Sequence, residues 1–432
     1  MNIKNMNLNY NFKNRFDKKD MLCLLITFLS ISIISIFSFF GLFQINIAYP
    51  TDNTHIEFEK IIGVNMKGMY TSLNYERFPN ISIPDNYYDQ SFKLIKNIGM
   101  NHIRYVFYWE AYENNPTLFL QELENVATLA DKYGLKVIYD NHQYHTSSWF
   151  DGKRGTGFPS FLFDKNLYPF DSGKTTSSNS TKLWWTNWWD RNLTDQNNNN
   201  NNDTNRIDGW TLQASFLKMI VKLLDNHNST IGYEILNEPQ IFSQEQWSKI
   251  GEYYEYIISE IQNQTNKIFV IDMTIPITFK DSFINLTSEN MAKIIPKDKN
   301  SIFKISLYGI PKDDNYQDKK LELLLNVSKI AKVPLYIGEW NNVNREQKSK
   351  ATNTPTGDDT SKINTTTSDL TQEQSDILIN KFNSLKVYGW AFWNWNYVNT
   401  PPENFNLINV TKNGDILPTK YFDILKNSVI KS

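Results

Sequence analysis

The run IGYEILNEP, Ile231 to Pro239, is an apolar strand that stops at a carboxylate. IGYEILN has the length and the aliphatic and aromatic content of a buried strand, and Glu238 follows it directly. Helical spacing flanks it on both sides, over 210–226 and 243–264. The second helix opens on Ser243-Gln-Glu-Gln246, a serine N-cap with glutamine at N3. The same alternation runs outward in both directions. Strand candidates precede it at 61–66, 102–108 and 135–140, and follow it at 267–272, 302–308, 334–340 and 387–393. Helix candidates lie at 87–98, 118–133, 288–295, 317–331, 372–385 and 418–427, and Gly134 caps the one ending at Tyr133. Eight strands, each followed by a helix, predict a (β/α)8 TIM barrel over residues 55–430. A doubly wound sheet is the competing architecture. Its glycine-rich phosphate loop is missing from NMKGMYTSLN, the stretch after the first strand.

Two stretches interrupt the rhythm. Residues 172–208 are rich in Ser, Thr and Asn, and residues 345–370 in Thr, Lys and Asp. They read as loop insertions after the third and seventh strands, on the face where a barrel carries its active site. The first contains WWTNWWD, Trp184 to Asp190. Read as a loop, it predicts a split among Trp184, Trp185, Trp188 and Trp189. Two indoles anchor the loop, and two line the cleft as a platform for an apolar sugar face. Trp149 and Phe158 extend the same wall.

Composition narrows the classes. A net charge of −2 gives no electrostatic footprint for nucleic acid. The single cysteine, Cys23, rules out an intramolecular disulfide. Residues 21–43 carry no charge and are long enough to span a bilayer. Lys4, Lys13, Arg15, Lys18 and Lys19 precede them, which keeps the 1–20 tail cytosolic. The segment reads as a signal-anchor, with the catalytic domain lumenal or extracellular. A cleaved signal peptide, and hence a secreted protein, is the alternative. Ten Asn-x-Ser/Thr sequons agree with that route, although an Asn-rich chain contains many by chance.

Glu238 and Glu339 each close an apolar strand, the fourth and the seventh. In a ring of eight these strands lie nearly opposite. Two carboxyls across a cleft suit glycosidic bond cleavage, one protonating the leaving oxygen and the other attacking or activating water. Arg104, His142, Asn237, Tyr308 and Trp393 also fall at strand ends. Taken singly, Arg104 is equally a buried ion-pair partner, and Tyr308 and Trp393 are equally core. His145 is equally a surface residue. His142 and His145 lack two further convergent ligands, so no metal site is expected.

Together, G-x-N on the first strand, Arg104, D-x-H on the third, N-E-P on the fourth, Glu339 in IGEW and Trp393 resemble glycoside hydrolase family 5, the cellulase family. The resemblance spans about residues 60 to 425. It implies retaining hydrolysis without a cofactor, with Glu238 as acid/base and Glu339 as nucleophile. It further implies that Asn237 bonds the sugar 2-hydroxyl, that Arg104 keeps Glu339 ionised, that Tyr308 bonds the nucleophile, and that Trp393 floors the sugar site. One departure stands out. The family's His-x-Tyr at the end of strand six is Ser306-Leu-Tyr308 here. The implied substrate is a β-linked polysaccharide or oligosaccharide. The run DNHQ at 140–143 resembles the endoglycoceramidase-like branch and keeps a glycolipid in view. The lost histidine leaves a silent carbohydrate-binding barrel as the reading from another class.

Overall fold

The computed structural model describes residues 59–74, 86–152, 155–169, 178–198, 207–272, 287–296, 300–308, 314–341, 371–395, 406–411 and 415–432. The 1–20 tail, the uncharged 21–43 segment, the 345–370 insertion and parts of 172–208 lie outside them. Among the described residues no helix is long and apolar enough to cross a membrane.

Eight strands close into one ring. The first half runs β1 (Ile61–Lys67), α1 (Tyr87–Asn97), β2 (His102–Phe107), α2 (Trp109–Asn114), α3 (Pro116–Tyr133), β3 (Lys136–Asn141), α4 (Asn179–Trp189), α5 (Gly209–Leu224) and β4 (Thr230–Glu234). The second half runs α6 (Gln244–Ile261), β5 (Ile268–Asp272), α7 (Ser288–Ala292), β6 (Ser301–Tyr308), α8 (Asp314–Ala331), β7 (Leu335–Asn341), α9 (Gln372–Ser384) and β8 (Val387–Trp395). A small hairpin, β9 (Ile408–Val410) and β10 (Ile416–Pro418), precedes the last helix, α10 (Lys420–Lys431). Strand β1 pairs in parallel with both β2 and β8, which closes the barrel.

Helix ends follow local chemistry. Asn115 accepts from Leu118 N and Pro116 starts α3, while Gly134 ends it at φ 61°, a left-handed position that suits glycine. Ser243 caps α6 as its sequence predicts. Gln246, however, reaches one residue further back than a capping box requires, to Phe242 N at 2.6 Å.

The apolar core lies between strands and helices, and a second cluster fills the barrel floor with Ile61, Ile138, Ile268, Val270, Ile302, Tyr336 and Tyr388. Above that floor the inward-facing positions turn polar. Asn65, Arg104, Asp140, Glu234, Asp272, Lys304 and Glu339, one from each of β1 to β7, are all buried. On β6 the period-two alternation sends Ile302, Lys304, Ser306 and Tyr308 to one face in turn.

The tryptophan stretch corrects the loop reading. It forms helix α4, capped by Ser178 accepting from Thr181 N at 3.1 Å. The indoles at 184, 185, 188 and 189 repeat at i, i+4 and so share one helical face. Trp184, Trp185 and Trp188 are 0% exposed and Trp189 is 1% exposed, so the expected split fails and none of them faces a cleft. Phe158 sits at the centre of the cluster, 4.7 Å from Trp184 and 4.8 Å from Trp188 between ring centroids. Trp188 and Trp189 both pack against Tyr253 of α6. Polar Ser, Thr and Asn neighbours suggested a loop, but apart from the buried Thr181 they occupy the outer face and the cap. Trp149 joins this core too, stacking on Phe163 at 5.6 Å and donating from its indole to the Tyr168 carbonyl at 2.7 Å.

Candidate active site

Arg104 is the hub of the polar layer. Its side chain is fully buried, so every N–H needs a partner inside the protein. Nε and Nη2 donate to the two oxygens of Glu234, both at 2.6 Å. Nη2 also lies 2.9 Å from Asp140 Oδ2 and donates to Asn237 Oδ1 at 3.0 Å. Nη1 donates to Asn65 Oδ1 and to Glu339 Oε1, both at 2.8 Å. Asn65 is itself anchored, donating to the Gly338 carbonyl at 2.9 Å.

Glu339 receives donors on both oxygens. Oε1 takes Arg104 and, at 3.2 Å, the Lys304 ammonium, while Oε2 accepts from the Tyr308 hydroxyl. Burial by itself would raise this carboxyl's pKa. The Lys304 and Arg104 charges outweigh it and hold the group well below the usual carboxylate range. Glu238 is shifted the other way. Burial raises it first and the facing Glu339 charge raises it further, against the Lys304 charge and a bond from the Ser306 hydroxyl. The two carboxyls are therefore shifted in opposite directions, Glu339 down and Glu238 up.

The backbone presenting Glu238 is under tension. Its φ is 42°, a region that disfavours any residue with a Cβ. Its N–H donates to Asp272 Oδ2 at 2.6 Å and its carbonyl accepts from Gln143 Nε2, also at 2.6 Å. Asn237 is equally fixed. Its Oδ1 accepts from Arg104 and from Lys304 at 2.7 Å, and its Nδ2 donates to the Gln143 carbonyl at 3.1 Å and to His142 Nε2 at 3.3 Å. His142 Nδ1 donates to Asp140 Oδ2 at 2.7 Å, which leaves Nε2 as the acceptor. Burial lowers His142 to about 3, so its ring is neutral, and burial raises Asp140 to about 7. Trp393, half-buried on β8, stacks on the His142 ring at 5.5 Å and 20°, with Lys67 Nζ 4.8 Å from its own ring centre.

Ligand atoms of Asp140, His142 and Glu339 lie within 4.8 Å of one another, close enough to suggest a cation site. The cation already in contact with Asp140 and Glu339 is the Arg104 guanidinium.

A family model, Cellulase (glycosyl hydrolase family 5), matches residues 59–399. The chain belongs to glycosyl hydrolase family 5. As a member of that family it is a glycosidase. Solved structures agree on the fold. An endogalactoceramidase superposes with a TM-score of 0.62 at 15% identity, covering 86% of this chain and 80% of that one. Endo-glycoceramidase II from Rhodococcus sp. gives 0.57 at 14%, covering 85% and 78%. A triple mutant of an endo-β-1,4-glucanase from Xanthomonas axonopodis pv. citri gives 0.54 at 15%, covering 87% and 100%. A comparison with curated proteins finds no match.

Arg104, His142, Asn237, Glu238, Tyr308, Glu339 and Trp393 thus converge in this family 5 barrel, whereas Trp149, Trp184, Trp185, Trp188 and Trp189 build the neighbouring core. His145 stays in its loop, stacked on Tyr144 and 3.1 Å from Asp151. Sequence reasoning missed Glu234, Asp272 and Lys304. The signal was present in each case: a charged residue within or closing an apolar strand, in IGYEILN, KIFVID and IFKISLY.

Proposed function

We propose that this barrel is a retaining glycosidase that cleaves β-linked glycans by double displacement. The observation that carries the reading is the asymmetry of its two glutamates. Lys304, Arg104 and Tyr308 lower the pKa of Glu339 against burial, while burial and the Glu339 charge raise that of Glu238. In the first step a Glu339 carboxylate oxygen bonds to the anomeric carbon. The glycosidic C–O bond breaks, and the leaving oxygen takes the Glu238 proton. Forming the ester removes the Glu339 charge, so Glu238 becomes more acidic and can act as base. In the second step water gives a proton to Glu238 while its oxygen bonds to the anomeric carbon. The Glu339 ester bond breaks and both carboxyls return to their starting states. Trp393 offers an apolar face beside His142 for the sugar ring in the reacting subsite.

A β-linked oligosaccharide or polysaccharide is the first substrate class. A glycolipid headgroup is the second, favoured by Gln143 of the DNHQ run, which bonds the carbonyls of both Asn237 and Glu238. One solved neighbour with this fold is described as a lactosyl-enzyme intermediate of endo-glycoceramidase II, which is support for the covalent route. The test is product release from β-glucan, mannan and a glycosphingolipid by wild type and Glu339→Gln, with proton NMR of the first-formed anomer. Release by wild type only, with the β-anomer first, supports the reading and selects the substrate class. The α-anomer first would overturn the retaining mechanism. We propose in addition that residues 21–43 anchor the protein with its barrel translocated. Protease protection in microsomes tests this, and a barrel cut without detergent would refute it.

A further inference from the structure

Lys304, one of the two cations beside Glu339, makes further contacts inside the barrel. Its side chain is 0% exposed, and it lies in the middle of an otherwise apolar strand. An ammonium taken out of water needs partners on all three protons. Lys304 Nζ lies 2.7 Å from Asn237 Oδ1, 2.9 Å from Asp272 Oδ2, 3.0 Å from Ser306 Oγ and 3.2 Å from Glu339 Oε1. Glu234 Oε1 follows at 3.6 Å. Simple neutralisation of buried carboxylates would account for the contacts to Asp272 and Glu339, but not for those to Asn237 and Ser306. Asn237 belongs to the segment carrying Glu238, Asp272 closes β5, Ser306 is on β6 itself and Glu339 is on β7. Asp272 Oδ2, which takes Lys304, also takes the N–H of Glu238 at that residue's left-handed turn.

Two further observations point the same way. A Cβ added to Gly338 would stand 2.6 Å from Lys304 Cγ and 2.8 Å from its Cε, so the glycine before the nucleophile makes room for the lysine stem. Ser306, which replaces the histidine expected of the family, pairs in register with Glu339 and is bonded to Lys304. The positive charge on this side of the nucleophile therefore comes from two residues earlier on the same strand face.

We propose that Lys304 is the positioning residue of this site, tying the Glu339 carboxylate directly, and the Glu238 backbone through Asp272, into one rigid unit. The proposal rests on Glu339 being the nucleophile and Glu238 the acid/base. Groups facing Glu339 are Arg104 from β2, Asp140 and His142 from β3, Glu238 beyond β4, and Lys304 and Tyr308 from β6. Those facing Lys304 add Glu234 and Asp272. Arg104 also bonds Glu339 and Asn237, but of the cations in this set only Lys304 touches both Glu339 and Asp272.

The test measures kcat and KM against pH, on an aryl β-glycoside, for the full chain and for Lys304→Met, Lys304→Arg and Lys304→Met/Asp272→Asn. Labelling of Glu339 by a 2-deoxy-2-fluoro-β-glycoside is read by mass spectrometry alongside. Lys304→Met is expected to lower kcat about 100-fold with KM nearly unchanged. Its acid limb should move up by at least about one pH unit as the nucleophile loses its cation. Lys304→Arg should return the limb toward wild type. Should Lys304→Met fail to fold, the double variant removes both charges together and carries the same expectation. Gly338→Ala keeps every charge and should move the limb in the same direction by displacing the stem. An unmoved acid limb in folded Lys304→Met or the double variant overturns the proposal while leaving the glycosidase reading intact. Absence of labelling and turnover in wild type would instead overturn the site reading, and this inference with it.

Discussion

Replacing Trp188 distinguishes a structural staple from a sugar platform. Its ring stacks on Trp184 at 5.6 Å and 9°, meets Phe158 at 4.8 Å, and packs against Tyr253 at 5.9 Å. Its backbone carbonyl accepts from the Trp210 indole at 2.8 Å, so the helix is locked to α5 as well as to α6. Burying an indole removes roughly 200 Å² from water, which at about 25 cal/mol per Å² is on the order of 5 kcal/mol. Neighbouring aromatics cannot fully collapse into the void, so Trp188→Ala is expected to cost about 3–5 kcal/mol. Trp188→Phe is more diagnostic. The Trp188 indole N–H is buried with no hydrogen-bond partner among the described residues, so phenylalanine removes an unsatisfied donor together with some apolar area. Trp189 donates to the Gln240 carbonyl at 2.8 Å and Trp185 to Thr146 Oγ1 at 2.9 Å. Their Phe variants leave a buried acceptor bare. Urea unfolding should therefore rank Trp188→Phe as the mildest of the three, with KM on an aryl glycoside unchanged in each folded variant. A Trp188→Phe protein of wild-type stability whose KM rose tenfold would refute the staple and restore the platform.

Three further outcomes follow from the same geometry. Glu238→Ala should lower kcat/KM by about 10²–10⁴ on unactivated glycosides and remove the alkaline limb, because the proton lost as pH rises belongs to a carboxyl whose pKa is raised. Added azide should restore turnover on activated substrates, with glycosyl azide seen by mass spectrometry. His102 is neutral in the fold. Nδ1 faces the Lys136 carbonyl at 2.9 Å, Nε2 faces the Tyr336 hydroxyl at 2.7 Å, and burial lowers its pKa to about 3. The unfolded chain binds that proton first, so stability should fall by up to about 1.4 kcal/mol per pH unit below about 6.5, and His102→Gln should flatten this slope in urea melts across pH. Glu122 accepts from Met69, Tyr70 and Thr71 N–H groups and the Tyr88 hydroxyl at 2.6–2.8 Å, clamping the loop that follows Lys67. Glu122→Gln turns one acceptor into a donor facing those groups and should cost about 2–3 kcal/mol in thermal or urea unfolding.

The barrel was legible because its strands are apolar, end in polar residues and alternate with helices at a regular spacing. The candidate pair was legible for a related reason, since Glu238 and Glu339 interrupt that apolar pattern at its ends. Trp184 to Trp189 misled because their polar neighbours pointed to a loop, while the i, i+4 repeat that pointed to a helix covers fewer than two turns. Lys304, Glu234 and Asp272 were passed over for another reason. A single charge inside a strand looks like a defect until the ring closes and sets six such positions side by side. Strand pairing brings Asp272 next to Lys304 and Ser306 next to Glu339, relations set by register between segments far apart in the chain.

That ring also explains why only one carboxyl of its set is strongly acidic. Arg104 and Lys304 lie among four carboxyls, Asp140, Glu234, Asp272 and Glu339. Two cations cannot offset four buried anions, so protons must remain on part of the set. Burial raises Asp140 to about 7 and raises Glu234 and Asp272 as well, while Glu339 alone is lowered. The difference is geometric. Glu339 takes both cations on one oxygen and the Tyr308 hydroxyl on the other, whereas Asp140 touches only Arg104 and Asp272 only Lys304 among the ring's cations; Glu234 meets both cations, but burial and the neighbouring Asp140 charge raise it. The negative charge is thereby concentrated where a nucleophile needs it. The same charge raises the pKa of Glu238, and in the proposed mechanism that shift would be released once the ester forms. A change that redistributed the two cations, such as loss of Lys304, would weaken the nucleophile and the acid together, because both pKa shifts draw on the charge at Glu339.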